Sequence, residues 1–270
     1  MTIARRTYAF FKDQISKFTD EAQHFGNFPS LFLSLVTPRG GLEHYDGLIR
    51  IKDAEGNIVE DMVPPDEYQR VIGEAVEPFS YMKFPYYKRH GYPNGMYRVG
   101  PLARLNNCDR CGTPFADVAL AEFRTLQEAR PVASSFHYHY ARLVEIIFAL
   151  ETIDRLLRDP QILDTRIRAR ARSNRDEGIG VAEAPRGTLI HHYRINPQGL
   201  MTWMNLIIAT GHNNLAMNRG VKQVAQRYVD GNRLQEGMLN RVEALIRCYD
   251  PCLSCASHAM GQMPMRIELR

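Results

Sequence analysis

The sequence predicts an α+β fold that is mainly helical, a helix bundle with small peripheral β-sheets. Segments with apolar residues at helical spacing are longer and more numerous than strand-like runs. The chain has 270 residues, of which 44% are hydrophobic and 24% charged. This ordinary globular composition excludes a disordered tail, a collagen-like fibre and a small disulfide-stapled scaffold. Because no repeat or composition shift marks a boundary, residues 1–270 are expected to form a single unit.

Helical and strand-like segments alternate in the first third of the chain. Residues 8–25 carry apolar side chains at helical spacing, which predicts a helix. Residues 31–36 form an apolar run typical of a buried strand, and residues 48–59 indicate a hairpin with a Gly-Asn turn. Residues 66–76 follow a Pro-Pro break and are predicted to be helical. Residues 77–105 are rich in Pro, Gly and aromatic residues, which favours an ordered but irregular connection.

Longer helices are predicted in the rest of the chain. Residues 115–130 and 135–158 form strong helix candidates, the second with an apolar stripe. Residues 178–181 are predicted to be a loop or short strand, and residues 188–195 a strand. Residues 215–229 again have helical periodicity.

The last predicted helix has the clearest boundaries. Asn232, followed three residues later by Gln235, provides a candidate N-cap. The helix should end at Tyr249-Asp250, because Pro251 disfavours helical geometry in the residue before it.

Charge and hydropathy limit the partners. Lys and Arg number 34 against 30 Asp and Glu, so the net charge of +4 does not indicate nucleic-acid binding. No run approaches the ~18 apolar residues of a membrane span. The first residues lack the apolar core of a signal peptide, which predicts a cytoplasmic protein.

An arginine-rich segment covers residues 155–175, with Arg166, Arg168, Arg170 and Arg172 at alternate positions. Such a segment could bind phosphate groups or be a solvated or partner-facing surface. Nearby acidic residues and the absence of stacking aromatics favour the second interpretation.

The five cysteines are Cys108, Cys111, Cys248, Cys252 and Cys255. An odd number in a chain without an export signal argues against a disulfide framework. Two Cys-x-x-Cys pairs remain, and such a pair aims two sulfurs at one metal. The pairs lie much further apart than the ~15–20 residues of a compact zinc ribbon.

The strongest metal-binding signal follows the last helix. Asp250-Pro-Cys-Leu-Ser-Cys255 places two thiols three residues apart, and His258 follows three residues later. Soft thiolates select soft or borderline metals, including nickel, iron and zinc. The spacing by itself leaves a structural zinc site open.

This Asp-Pro-Cys-x-x-Cys-x-x-His pattern resembles the C-terminal metal-binding signature of the large subunit of nickel–iron hydrogenases. The Glu-Ala-Pro-Arg-Gly motif at residues 183–187 and the stretch at residues 205–214 are similar to two further markers of that family. The likeness runs along most of the chain. It is greatest to the cytoplasmic, bidirectional branch that reduces NAD.

The resemblance implies a nickel–iron centre with cyanide and carbonyl ligands. Cys252 and Cys255 match two nickel ligands, and Cys255 matches the one that also bridges to iron. His258 matches a ligand of a nearby divalent ion, usually magnesium. The carbonyl of Leu206 matches a further ligand of that ion.

The other matched residues surround this centre. Arg186 matches an arginine over the open side of the metals, and Asp250 the carboxylate beside it. Ala184 and Pro185 would line the pocket for the iron ligands, and Thr210 would hydrogen-bond one cyanide. The implied reaction is the reversible oxidation of dihydrogen.

Splitting dihydrogen into hydride and proton needs a metal pair and a base. The thiolate of Cys252 is a candidate base. Arg186 stays protonated in water, so its expected contribution is positioning and electrostatics. Asp250 would hold the guanidinium in place.

The family's second signature, Arg-x-Cys-Gly-x-Cys-x-x-x-His, supplies the other two nickel thiolates and has no match here. Residues 110–112 repeat only part of it, and Cys108 and Cys111 are predicted to be buried or partly exposed thiols. The chain therefore corresponds to the C-terminal portion of a large subunit, with the N-terminal part missing, and is expected to be inactive alone.

The resemblance also implies partners. These are a small subunit with an iron–sulfur cluster, diaphorase subunits that hold iron–sulfur clusters, FMN and NAD(P), and a maturation endopeptidase. Residues 259–270 would be the extension that the endopeptidase removes after His258; alternatively they remain, and residues 265–269 form a permanent short strand.

A non-catalytic zinc-binding or assembly protein is the alternative. It would use Cys252 and Cys255 for zinc and the arginine-rich segment for docking. The missing signature favours this alternative, whereas the motif at residues 183–187 favours the enzyme. Redox sensing through Cys-x-x-Cys lacks a thioredoxin-like context.

Overall fold

The computed structural model describes residues 2–127, 130–168 and 174–256. The helices in these ranges are α1 (Thr2–Lys17), α2 (Thr19–His24), α3 (Tyr68–Val71), α4 (Pro101–Asn107), α5 (Pro114–Arg124), α6 (Tyr138–Leu156), α7 (Ala209–His212), α8 (Asn214–Tyr228), α9 (Glu236–Tyr249) and α10 (Leu253–Ala256). The strands are β1 (Leu31–Val36), β2 (Leu48–Lys52), β3 (Ile58–Val63), β4 (Ile72–Glu77), β5 (Ser80–Tyr87), β6 (Tyr97–Arg98), β7 (Glu177–Ala184), β8 (Gly187–Ile195) and β9 (Met201–Ile207).

The strands of the described ranges form three sheets. The largest has the order β3-β2-β1-β6, in which β1 pairs antiparallel with β2 and parallel with β6. The hairpin β4-β5 is a second sheet, and the antiparallel meander β7-β8-β9 is the third. The mainly helical α+β class predicted from the sequence is confirmed by this arrangement and by the structural comparison below.

Strand β1 joins two apolar clusters because successive side chains on a strand point to opposite faces. Phe32 packs with residues of α4, α5, α6, α8 and α9. Leu33 and Leu35 pack on the other face with β2, β3, β6, β8 and β9. All six residues of β1 are buried, so the largest sheet reaches into the interior.

Most of the predicted elements are present, with changed boundaries. The strand at 31–36, the helix at 215–229 and the helix end at Tyr249 are confirmed within a residue. The helix expected at 8–25 is divided into α1 and α2, and the helix expected at 115–130 ends at Arg124.

Two predictions about local structure were wrong, and for residues 178–181 the structure has the strand alternative, in a longer form. The helix expected at 66–76 stops at Val71, and the chain then pairs as β4 with β5. The region 77–105 is not irregular, since it contains β5, β6 and α4. The short element at 178–181 is part of the eight-residue strand β7. β4 and β7 are stabilised by hydrogen bonds to the neighbouring strands β5 and β8, which the local composition of each segment does not reveal.

The N-terminus of α9 also differs from the prediction. Gln235, not Asn232, is the N-cap residue, and Asn232 lies in the preceding turn, where its backbone N–H donates to Asp230 Oδ1. No helix in the described ranges is long and apolar enough to cross a membrane. Arg166 and Arg168 are exposed, whereas Arg170 and Arg172 lie outside the described residues.

Two histidines are buried in the neutral form. Burial lowers the pKa of His212 to about 3 and that of His137 to about 4. His212 Nδ1 lies 2.6 Å from the hydroxyl of the buried Tyr97. In the unfolded chain both histidines have the ordinary pKa of ~6.5. Between about pH 6.5 and the lowered pKa values, the unfolded chain therefore binds more protons than the folded chain. Stability should therefore fall as the pH falls through that window.

Replacing His137 by Gln tests this coupling, because the variant has no group at this position to protonate. Urea unfolding at pH 7 and pH 5 should show that the parent loses about 2 kcal/mol more stability on acidification than His137→Gln. The exposed His90 provides the matched control, and His90→Gln should keep the parental pH dependence. Equal pH dependence in all three proteins would contradict the assignment.

Candidate metal centre

The end of α9 turns the predicted cysteine motif back towards α7. Asp250 adopts the left-handed conformation, with φ 50° and ψ 53°, which ends the helix at Tyr249. Aspartate tolerates this region better than most residues with a Cβ. After Pro251, the backbone N–H of Cys252 donates a 3.0 Å hydrogen bond to Thr210 Oγ1. Thr210 is therefore a direct neighbour of the motif.

The two cysteine sulfurs of the motif converge on one point. Cys252 and Cys255 form a disulfide, with their Cα atoms 5.4 Å apart. The sequence argued against disulfides, and this pair is a correction to that expectation. The physical reason is that the spacing that aims two sulfurs at one metal also places the Cα atoms within disulfide range. Reduction by two electrons, with uptake of two protons, would return the pair to thiols.

Arg186 lies at the tip of a hairpin beside the motif. Strands β7 and β8 are joined by Pro185 and Arg186 alone. The Nε–H of Arg186 donates to the carbonyl of Asp250 at 2.6 Å, and Nε lies 3.3 Å from Oδ2 of the same residue. The predicted proximity of Arg186 and Asp250 is present. Their side chains are 38% and 50% exposed, so this face is open.

Two glycines let this hairpin tip pack tightly against the start of α4. Gly187 has φ +138°, and a Cβ at this position would lie 2.3 Å from Val99 Cγ2. Gly100 has φ +91°, and a Cβ there would lie 2.7 Å from the carbonyl oxygen of Arg186. Any larger residue at either position would displace the turn that carries Arg186.

The tip of the same hairpin is also held by a buried arginine. Arg104 of α4 donates from Nε and Nη2 to the two carboxylate oxygens of Glu145 at 2.6 and 2.7 Å, and from Nη1 to Glu183 at 2.8 Å. It also donates to the carbonyls of Ala184 and Pro185 at 2.9 and 3.2 Å. All five N–H groups of the guanidinium are thereby satisfied.

The charges of this network are strongly coupled. Glu183 also accepts hydrogen bonds from the backbone N–H of Leu35 and the hydroxyl of Thr188. Burial raises the pKa of Glu183, which the guanidinium of Arg104 opposes. Although burial disfavours the charged arginine, Glu145 and Glu183 raise the pKa of Arg104. Two carboxylates therefore share one guanidinium in the interior and depend on it for neutralisation.

A second arginine holds the end of α9. Arg142 of α6 donates from Nη2 to the carbonyl of Cys248 at 2.6 Å, and its Nη1 lies 3.3 Å from His139 Nδ1. Burial lowers the pKa of His139 to about 4, so the imidazole is neutral beside Arg142. Arg142 thus anchors the turn that leads to Cys252.

Arg104, Glu145 and Arg142 were not among the residues singled out from the sequence. Glu145 and Arg142 had a visible signal, since both interrupt the apolar pattern of the helix at 135–158. Arg104 had none, because its acidic partners are 41 and 79 residues away in the chain.

Leu206 lies beside the motif in β9. It lines a cavity of about 390 Å³ together with Gly211 and with Ala256, the residue after Cys255. His258 and residues 259–270 lie outside the described residues. Cys108, Cys111 and Cys248 are buried and form no disulfide.

The residues present fit part of a soft-metal site. Within the described ranges no group of three or more His, Cys, Asp or Glu side chains could hold a metal ion. The converging sulfurs of Cys252 and Cys255 are soft donors of the kind that nickel and iron bind. The described part of the chain therefore offers two sulfur ligands, in a turn whose first residue, Asp250, contacts the guanidinium of Arg186.

Comparison with known proteins identifies the family. The family model for nickel-dependent hydrogenases matches residues 53–258. The chain is 42% identical over 262 residues to the NAD-reducing hydrogenase HoxS subunit beta of Cupriavidus necator, covering 96% of this chain and 54% of that one. It is 40% identical to a subunit of the F420-non-reducing hydrogenase vhc of Methanococcus voltae, covering 98% and 56%. The chain belongs to the nickel-dependent hydrogenase family.

Solved structures agree with this assignment. The crystal structure of an NAD⁺-reducing [NiFe]-hydrogenase in the H₂-reduced state has a TM-score of 0.90 and 43% identity, covering 94% of this chain and 56% of that one. A [NiFeSe] hydrogenase from Desulfovibrio vulgaris Hildenborough, at 20% identity and a TM-score of 0.63, shares the fold. The chain thus spans about half the length of the relatives it matches.

Replacing Arg104 by Met should destabilise the protein by about 3–5 kcal/mol, because the buried carboxylate of Glu183 and the half-buried carboxylate of Glu145 would lose their counter-ion. Arg104→Lys should lose less stability than Arg104→Met, because lysine keeps the positive charge. It should still be less stable than the parent, because an ammonium group cannot donate to all the oxygens that the guanidinium contacts. Urea unfolding measures both values.

The control for this pair of variants is Arg158→Met, which removes an exposed ion pair with Asp154. This change should cost less than ~1 kcal/mol. The role of the network would be refuted if Arg104→Met were as stable as Arg158→Met.

Proposed function

We propose that this chain supplies half of the nickel–iron centre of a hydrogenase large subunit, which catalyses the reversible oxidation of dihydrogen coupled to NAD(P). The convergence of Cys252 and Cys255 beside Arg186, in a chain of the nickel-dependent hydrogenase family, carries this proposal. The similarity to an NAD-reducing hydrogenase subunit supports the choice of acceptor.

Cys252 and Cys255, once reduced, would be two of the thiolate ligands that hold the nickel–iron centre. Ala184 and Pro185 would lie towards the cyanide and carbonyl ligands of iron, and the hydroxyl of Thr210 remains able to donate while it accepts the N–H of Cys252. When bound, the nickel–iron centre supplies the electrophile that polarises dihydrogen.

The chain's own residues would accept the proton and stabilise the charge that develops in the reaction. The thiolate of Cys252 would accept the proton as a base. Arg186, held by Asp250, would place a fixed positive charge over the reacting face without reorganisation. The network of Arg104 keeps the hairpin that carries Arg186 in position.

Magnesium would lie near the motif, bound by His258 and the carbonyl of Leu206, with the cavity next to Leu206 providing space on the described side. Residues 259–270 would be removed by a maturation endopeptidase after nickel insertion.

The proposed partners are a small subunit with an iron–sulfur cluster and diaphorase subunits that hold iron–sulfur clusters, FMN and NAD(P). The similarity to a subunit of an NAD-reducing hydrogenase supports such a cytoplasmic complex. Since the chain spans about half of its relatives, the other two thiolates would come from the part it does not cover.

The proposal predicts that the 270-residue chain, purified from a host that matures nickel–iron hydrogenases, contains no stoichiometric nickel and takes up no hydrogen. Co-production with the rest of the Cupriavidus necator HoxS subunit beta and that enzyme's other subunits should give nickel incorporation and H₂-dependent NAD reduction. Elemental analysis and absorbance of NADH measure the two outcomes.

In the reconstituted enzyme, Arg186→Lys should lower the rate of NAD reduction by about 100-fold, because a fixed hydrogen-bonded charge at the reacting face is lost. Arg194→Lys changes an exposed arginine on strand β8 of the same hairpin; this matched control should retain activity. Zinc retained in place of nickel, with no activity in the complete assembly, would support the zinc-binding alternative and refute the proposal.

A further inference from the structure

Residues 97–100 contact both helix α7 and the hairpin formed by β7 and β8. Tyr97 and Val99 are completely buried. The contact with the hairpin is close, because a Cβ at Gly187 would lie 2.3 Å from Cγ2 of Val99 and 2.8 Å from the backbone nitrogen of Gly100. Any shift of this segment would therefore displace the hairpin.

On the side of α7, the segment is held by Asn213, the C-cap residue of that helix. Oδ1 of Asn213 accepts a 3.0 Å hydrogen bond from the backbone N–H of Val99, and its Nδ2 lies 3.5 Å from the carbonyl oxygen of the same residue. The amide thus faces both backbone polar groups of Val99, as a paired strand residue would. Asn213 is buried, so the loss of this partner would leave the N–H of Val99 unsatisfied in the interior.

His212 makes a second contact between α7 and the same segment. Its Nδ1 lies 2.6 Å from the hydroxyl of Tyr97, and both side chains are completely buried. Because burial keeps the imidazole neutral, Nδ1 can accept the hydrogen of the hydroxyl. The α7 clamp is the name used below for these two contacts, Asn213 with Val99 and His212 with Tyr97.

The α7 clamp acts on Thr210 because α7 is only four residues long. A single helical turn is not stable by itself, so tertiary contacts have to fix its position. Thr210 lies in the same turn as the clamp, and its carbonyl accepts the backbone N–H of Asn213 at 3.1 Å. The hydroxyl of the buried Thr210 accepts the N–H of Cys252. The clamp is thereby connected to the first cysteine of the motif.

We infer that Asn213 and His212 are positioning residues of the metal centre. Through Val99 and Tyr97, they set the separation between the hydroxyl of Thr210 and the hairpin. The inference rests on the proposed function, in which that hydroxyl donates to a cyanide ligand and the hairpin lines the pocket for the iron ligands. Groups on separate elements keep a productive spacing only when packed, hydrogen-bonded neighbours hold them.

The competing explanation is that the α7 clamp contributes only to global stability. Both of its side chains are buried and hydrogen-bonded, so the removal of either destabilises the fold. The test therefore needs a signal from the site itself. The backbone N–H of Cys252 provides this signal, since it donates to Thr210 and not to the clamp.

The test measures hydrogen exchange at the backbone amide of Cys252 by nuclear magnetic resonance, in the full 270-residue chain. Thr210→Val removes the acceptor but keeps the shape, so it should speed this exchange by about fivefold. Asn213→Ala should speed it by at least about threefold, because Thr210 is then no longer held in one position. Tyr97→Phe removes only the hydroxyl that contacts His212 and should give about a twofold increase.

Asn214→Ala is the matched control. Asn214 is also a buried asparagine, but its Nδ2 donates to the carbonyl of Lys83 and not to Val99. Exchange at Cys252 should stay parental in this control, and urea unfolding should show which variants are folded. The inference is overturned if Asn213→Ala exchanges like Asn214→Ala, or if Thr210→Val exchanges like the parent. If Asn213→Ala does not fold, parental exchange in Tyr97→Phe overturns it instead.

Infrared spectroscopy of the complete assembly separates this inference from the proposed function. Asn213→Ala and Thr210→Val should shift a cyanide stretching band in the same direction, and Asn214→Ala should leave the bands unchanged. Parental cyanide bands in Asn213→Ala would refute the positioning role and leave the function standing. An assembly that takes up no nickel, although exchange at Cys252 depends on the α7 clamp, would refute the function and leave the control of Thr210 by the clamp standing.

Discussion

The ion network of Arg104 is the interaction on which the architecture of the candidate site depends. One buried guanidinium binds carboxylates from α6 and β7 and two carbonyls of the hairpin that carries Arg186. Burying these charges is costly unless every donor and acceptor is satisfied, and here all five N–H groups are used. Because α4, α6 and β7 meet at this one group, their relative positions are fixed more narrowly than apolar packing alone would fix them.

The positions of the site residues depend on this ion network. Arg104 donates hydrogen bonds to the hairpin tip. Gly100 and Gly187 allow the tip to pack closely against the start of α4. The cysteine turn is held independently, by Arg142 at the end of α9 and by the bond from Cys252 to Thr210. Two rigid pieces therefore meet at the contact of Arg186 with Asp250, while the opposite face stays open.

Local sequence patterns were sufficient to predict the segments whose secondary structure is determined by their own residues. The apolar run of β1, the periodicity of α8 and the effect of Pro251 on α9 are such cases. Strand β4 could not be predicted, because it is stabilised by β5, where the ring of Tyr86 covers Gly73. For the site, motif likeness indicated Arg186, Asp250 and the cysteines. The supporting residue Arg104 was missed, since its partners are distant in sequence.

The central claim is that the turn after α9 presents two thiol ligands as a preformed half of a nickel site. Nickel K-edge X-ray absorption on the reduced 270-residue chain titrated with Ni²⁺ tests it most directly. The account predicts two sulfur neighbours for nickel in the parent and in the Cys111→Ser control, and none in Cys252→Ser/Cys255→Ser. Nickel surrounded only by oxygen and nitrogen in the parent chain would contradict it.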